Sequence, residues 1–274
     1  MGTKIARLSR TGSPGKLITK AEVEPALATK WLSLCQEYHG DTCAALPSRR
    51  PDRQETPLRL IDVQQLCIVE AAGPCEYFAL SYVWGDTPQQ PLLQNNVEVL
   101  QQWGALIDCW HRIPQTIRDA VQLTQRMNAR YLWVDSLCLV QDDESDMRSG
   151  IMSMDSIYEL ATLTLVAANA ADATAGLPGV RKQSRVVRQM VAHINEEVSF
   201  LVIHELEAVL KNTAYNGRGW TSTACHRGNS FSRMILCISN VDILHGVKRQ
   251  MMMNGLGKRT CAPNPFLLVP LYQT

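Results

Sequence analysis

The sequence predicts an α/β fold: a mainly parallel sheet flanked by helices, with an N-terminal helical extension. Three observations carry that expectation. Two apolar runs, Tyr131 to Gln141 and "LTLVAA" (Leu163 to Ala168), have the near-continuous hydrophobicity of strands covered on both faces. Each follows a stretch whose apolar residues recur at helical spacing. An earlier run, "YFALSYVWGD" (Tyr77 to Asp86), reads as a buried strand stopped by a Gly-Asp turn. Strand, helix, strand, helix, strand is the order in which helices pack over a parallel sheet.

Taken from the N-terminus, residues 1–18 read as a disordered basic tail in which Gly12, Pro14 and Gly15 break any period. Residues 19–57 form an extension: a helix from about Glu22 to His39, ended by Gly40, and then the charged, proline-bearing linker "ALPSRRPDRQETP". The main domain is expected over 58–240 and opens with two short strand-like runs, "LRLIDV" and "QLCIVEA". Pro114 sits where a first helical residue should be, because its missing N–H costs nothing there. Ile113, Ile117, Ala120, Val121, Thr124 and Met127 share one face of that helix, and Asn128 is its left-handed stop. In the next helix Met147, Ile151, Met154, Tyr158 and Ala161 line one side. "NAADATAGLPG" is a loop and "VSFLVIHEL" a further strand, whereas 241–274 shows no coherent period and reads as a divergent segment.

Composition narrows the function. Among 274 residues, 46% are hydrophobic and 19% charged, as in an ordinary globular protein. A net charge of +1 offers no field for nucleic acid or a membrane surface, and no run approaches the ~18 apolar residues of a membrane span. The basic stretch "VRKQSRVVRQ" reads as a solvated face. Nine cysteines, without a CxxC pair, suit reduced thiols and a cytoplasmic location. Cys35, His39 and Cys43 are four apart like ligands on a helix, yet Gly40 interrupts them and no fourth ligand is evident beyond Cys67 or Cys75. The reading is no metal site.

Asp135 and Ser136 stand in the middle of an apolar run and need partners, since an unpaired buried carboxylate is expensive. Either they lie near a strand's C-terminal end, where open α/β sheets take ligands, or Asp135 orders the fold by binding loop amides. Tyr82, Trp84 and Gly85 end another strand and either stack on a nucleotide base or pack.

At these residues the sequence resembles the fungal heterokaryon-incompatibility (HET) domain family. The matching strings are "RLIDV", "YFALSYVWGD", "IPQTIRDAVQLTQRMNARYLWVDSLCLVQDD", "MDSIYELATLTLVAANAADATAGLPG" and "RGWT", spread over about Leu58 to Ile238. The resemblance implies nonself recognition and regulated cell death, a fold similar to TIR domains with a flavodoxin-like sheet, and self-association or pairing with other HET- or TIR-like domains as the partners. It also implies NAD as a substrate, cleaved between nicotinamide and ribose, with no bound cofactor. After "RGWT" the family generally continues with Gln-Glu; here "STACHRGNSFSRMILC" stands instead.

Cleaving that bond builds positive charge on the ribose, and a carboxylate beside the sugar stabilises it. The family pattern would supply the acid as Asp-Trp-x-x-Glu at a helix start. In this register Asp146 is kept, Met147 replaces the tryptophan and Gly150 replaces the glutamate. Gly150 falls about 60° from Met147 on a helical wheel, at the edge of the apolar face. The expectation is therefore a domain that has lost NAD cleavage. The alternatives are catalysis by Asp146 as a substitute acid, with Asp135 the second candidate, or a silent module that acts by association. Asp146 also suits the blander role of capping its helix and balancing the dipole.

Overall fold

The computed structural model describes residues 21–39, 57–168, 170–186, 191–193, 199–204, 213–215, 235–238, 245–246 and 266–270. The tail over 1–18, the stop at Gly40 and "RGWT" lie outside them.

The strands are β1 (Arg59–Asp62), β2 (Cys67–Glu70), β3 (Phe78–Ser81), β4 (Tyr131–Trp133), β5 (Leu163–Ala167), β6 (Val191–His193), β7 (Ser199–His204), β8 (Ile235–Ile238), β9 (His245–Gly246) and β10 (Phe266–Pro270). Seven form one sheet in the order β2-β1-β4-β3-β5-β8-β9, and β10-β7-β6 form a second, antiparallel one. The helices are α1 (Pro25–His39), α2 (Val97–Leu100), α3 (Ala105–Asp108), α4 (Gln115–Arg126), α5 (Asp135–Cys138) and α6 (Glu144–Leu160).

The α/β expectation holds, but the large sheet is mixed rather than mainly parallel. Strands β4, β3, β5 and β8 run parallel; β1 is antiparallel to both β2 and β4, and β9 to β8. The reason lies in the connections. A short turn between β1 and β2 can only reverse the chain, whereas parallel neighbours need a crossover. That turn is built by Asp62, whose Oδ1 accepts the N–H groups of Gln64 and Gln65 at 3.0 Å each while Oδ2 takes Arg130 Nε at 2.8 Å.

Helix α1 begins at Pro25, three residues later than expected, because the residue before a proline disfavours the helical conformation and proline suits the first helical position. The Val23 N–H donates to Gly179 O at 2.8 Å. Pro114 lies just outside α4, in extended conformation, and Asn128 stops that helix at a φ of 58° as expected. The strand expected over Tyr131–Gln141 is a correction: three residues pair, and the chain then turns into α5. Ser136 N–H bonds to its neighbour's Asp135 Oδ1 at 2.8 Å, a local bond that competes with the sheet ladder. The ladder after Tyr77 likewise ends at Ser81, and Tyr82 to Asp86 leave it.

On α6 the expected inward side holds at Met147, Met154, Tyr158 and Ala161, which are buried or packed against the core, while Ile151 is 38% exposed. Asp146, Gly150 and Ile157 of this helix are buried as well. Beneath it Trp133 meets Tyr158 edge to face at 5.6 Å, in a core continued by Leu60, Ile61, Leu80 and Leu165. Among the described residues no helix is long and apolar enough to cross a membrane.

Candidate functional site

Strands β3, β4 and β5 end at Ser81, Trp133 and Ala167, and the segments that follow meet at this edge of the sheet, where open α/β sheets take ligands. Ala173 N–H donates to Trp84 O at 3.1 Å, joining the loop after β5 to the loop after β3. The indole Nε1 of Trp84 donates to Asp135 Oδ2 at 2.8 Å and joins the latter loop to α5. The Tyr82 hydroxyl lies 3.0 Å from Ser136 Oγ and 3.2 Å from Gln89 Oε1. Four of the sequence-predicted residues, Tyr82, Trp84, Asp135 and Ser136, thus form one network.

Gly85 borders it. Its φ of +67° is left-handed, and a Cβ there would lie 2.4 Å from Asp172 Cβ, so the two loops touch through a glycine. Asp172 is an acid the sequence reading missed. The Thr174 hydroxyl and amide, at 2.6 and 2.7 Å, hold its carboxyl below the usual range. Burial, and after it the charge of Asp135, pushes the Tyr82 phenol well above its ordinary value, so the hydroxyl stays neutral. Burial also pushes the Cys138 thiol up to about 12, which leaves it no nucleophile.

Asp146 stands apart from this network. Its Oδ1 accepts Arg59 Nη1 at 2.8 Å, and its Oδ2 accepts the same nitrogen at 3.0 Å and Val140 N–H at 2.7 Å. The carboxylate and its arginine are 7% and 12% exposed, and Glu70 Oε1 lies 3.6 Å from Arg59 Nε. The capping expected of Asp146 is done by Asp143, whose Oδ1 accepts the N–H groups of Ser145 and Asp146. The Asp146 side chain instead ties α6 to β1.

Gly150, where the acid was expected, is buried. A Cβ there would meet Leu139 Cδ2 at 2.5 Å and Cδ1 at 2.7 Å. Leucine fills the space beside the helix.

A further constellation escaped the sequence reading. Asp119 on α4 is fully buried; it accepts Gln115 Nε2 at 2.6 Å, Leu177 N–H at 2.7 Å and Arg181 Nε at 3.1 Å. Thr116 Oγ1 accepts Gly176 N–H at 3.1 Å. Together they fasten the loop after β5 to the start of α4. The basic stretch from Val180 is therefore not simply solvated: Arg181 serves this pair and Arg185 is buried. The signal was legible in "TIRDA" and "RLID", each a charge set among apolar neighbours, as with Asp135.

The Cys35, His39 and Cys43 set lies outside the described side chains. Among the described residues no group of three or more His, Cys, Asp or Glu is placed to hold a metal ion.

Residues 77–223, more than half of the 274, match the family model described as heterokaryon incompatibility protein (HET). No curated protein and no solved structure matches the chain.

Proposed function

Because the chain belongs to the heterokaryon incompatibility (HET) family, linked to fungal nonself recognition and regulated cell death, we propose that it is a catalytically silent member of an NAD-cleaving fold. The observation that carries this reading is Gly150, buried against Leu139 at the position where the family resemblance calls for a glutamate. Without an acid there, charge developing on a ribose has no partner from α6. Catalysis by Asp146 would require its carboxylate to leave Arg59 and the Val140 amide, leaving a nearly buried guanidinium to the half-exposed Glu70 carboxylate 3.6 Å away. The parallel run β4-β3-β5-β8 supports a TIR-like, flavodoxin-like reading of the sheet. Tyr82, Trp84, Gly85, Asp135 and Ser136, gathered at its C-terminal edge, are the residues that would border a nucleotide. The domain is taken to run over 58–240. None of Cys67, Cys109 and Cys138 is in a disulfide, which supports a reducing, cytoplasmic setting.

Incubating the purified protein with NAD tests the reading. No nicotinamide release above the buffer blank is expected; sustained turnover by the native chain would overturn it.

A second reading, association with another copy through an exposed face, is favoured by Val99, Trp103 and Ile107 on the α2–α3 segment. They are 56%, 77% and 56% exposed, an unusual amount of bare apolar surface on one short segment. Sedimentation across a hundredfold range of concentration should show self-association that Trp103→Lys abolishes; a strictly monomeric native protein would refute it.

A further inference from the structure

Position 150 is closed by its neighbour. An ideal Cβ on Gly150 would come within 2.5, 2.7 and 3.1 Å of Leu139 Cδ2, Cδ1 and Cγ, whereas apolar carbons rest about 3.5–4.0 Å apart. Leu139 is held from both sides along the main chain. Its N–H donates to Asp135 O at 3.1 Å, and its carbonyl accepts Gln141 Nε2 at 2.9 Å. The next N–H, of Val140, donates to Asp146 Oδ2 at 2.7 Å, and that of Gln141 to Leu92 O at 2.9 Å. Only the side chain is left to move, and at 7% exposure it must move within the core.

We infer that Leu139 and Gly150 are one interlocked unit, and that Leu139 is the residue that decides whether α6 can carry a side chain toward the edge of the sheet. The chain of contacts runs from the Asp135 main-chain carbonyl through Leu139 and Val140 to the Asp146 carboxylate, so the backbone of α5 and one acid of α6 help hold the plug in place. Resting on the silent-domain reading of the same site, the inference adds that an acid cannot enter at 150 unless residue 139 shrinks with it.

A sign reversal tests it. An unobstructed helical glycine changed to alanine should raise the melting midpoint by about 2–4 °C, from helix propensity alone. Here Gly150→Ala is expected to lower it by roughly 3–10 °C, as overpacking does. In a Leu139→Ala background the same change should raise the midpoint. A rise in the native background overturns the inference. Should Leu139→Ala fail to fold, Leu139→Val, which removes the two closest contact atoms, must at least halve the loss; an undiminished loss there refutes the interlock. Nicotinamide release from NAD separates this from the reading it rests on. Release by Leu139→Ala/Gly150→Glu, and none by Gly150→Glu, supports both. Reversal of the midpoint without release by the double variant upholds the interlock and removes the NAD reading. Release by Gly150→Glu alone, with an unchanged midpoint, overturns the interlock.

Discussion

Helices α4 and α6 begin alike and differ in where they keep their glycine. Each buries an acid near its start, Asp119 or Asp146, and each acid takes one arginine and one backbone N–H, from Leu177 or Val140, at 2.7 Å. At α4 the glycine belongs to the facing loop: Gly176 has a φ of +78°, and a Cβ on it would lie 2.6 Å from Asp119 Oδ2. At α6 the glycine is in the helix itself, and what it makes room for is the end of a leucine side chain. The first glycine is demanded by its own main chain, the second only by a neighbour. A backbone demand cannot be lifted by changing side chains, whereas a side-chain demand can. The arginines differ as well, Arg181 being 43% exposed and Arg59 12%.

The largest expected effect comes from that last difference. Asp146→Ala leaves Arg59 charged and nearly buried and should cost about 3–5 kcal/mol in denaturant unfolding. Asp119→Ala leaves Arg181 able to turn to water, so the loss is mainly that of satisfied N–H groups, about 2–3 kcal/mol. If Asp119 proves the costlier, the comparison between the two pairs is broken. Next comes Gly176→Ala, expected to lose about 1–3 kcal/mol. Combining it with Asp119→Ala should recover only part of its penalty, because the left-handed φ remains; full recovery would erase the contrast with Gly150. The smallest effect concerns Tyr82, in the edge network beside α5. Its folded-state value is raised, so its contribution is fully present below the unfolded value of ~10 and is lost as pH rises beyond it. Between pH 9 and 11 the native protein should therefore lose up to about 1.4 kcal/mol more than Tyr82→Phe. Equal losses in paired unfolding curves would show that the phenol titrates normally.

Legibility followed the range of the forces. Helix α4, its inward face and its stop at Asn128 were readable because local periodicity and one left-handed residue determine them. That Asp135 and Ser136 needed partners was readable too, but their setting was not. An apolar run of eleven residues looks the same whether it is one strand or a three-residue strand followed by a helical turn. On α6 the apolar side was readable except at Ile151, but the burial of Asp146 was not: its partner Arg59 lies 87 residues upstream, which no local window contains. Leu139 carried no signal at all, being one more leucine in an apolar run.

The Arg59–Asp146 bond also bears on where this folding unit can be cut. The family match opens at Tyr77, yet the guanidinium that neutralises Asp146 sits upstream, on a strand paired with β4 through Ile61 and Leu132. A polypeptide trimmed to the matched boundaries would carry an orphaned anion at the foot of α6. It would also bare one flank of β4, an invitation to edge-to-edge aggregation. The preceding hairpin belongs to the excisable piece, which should start no later than Leu58.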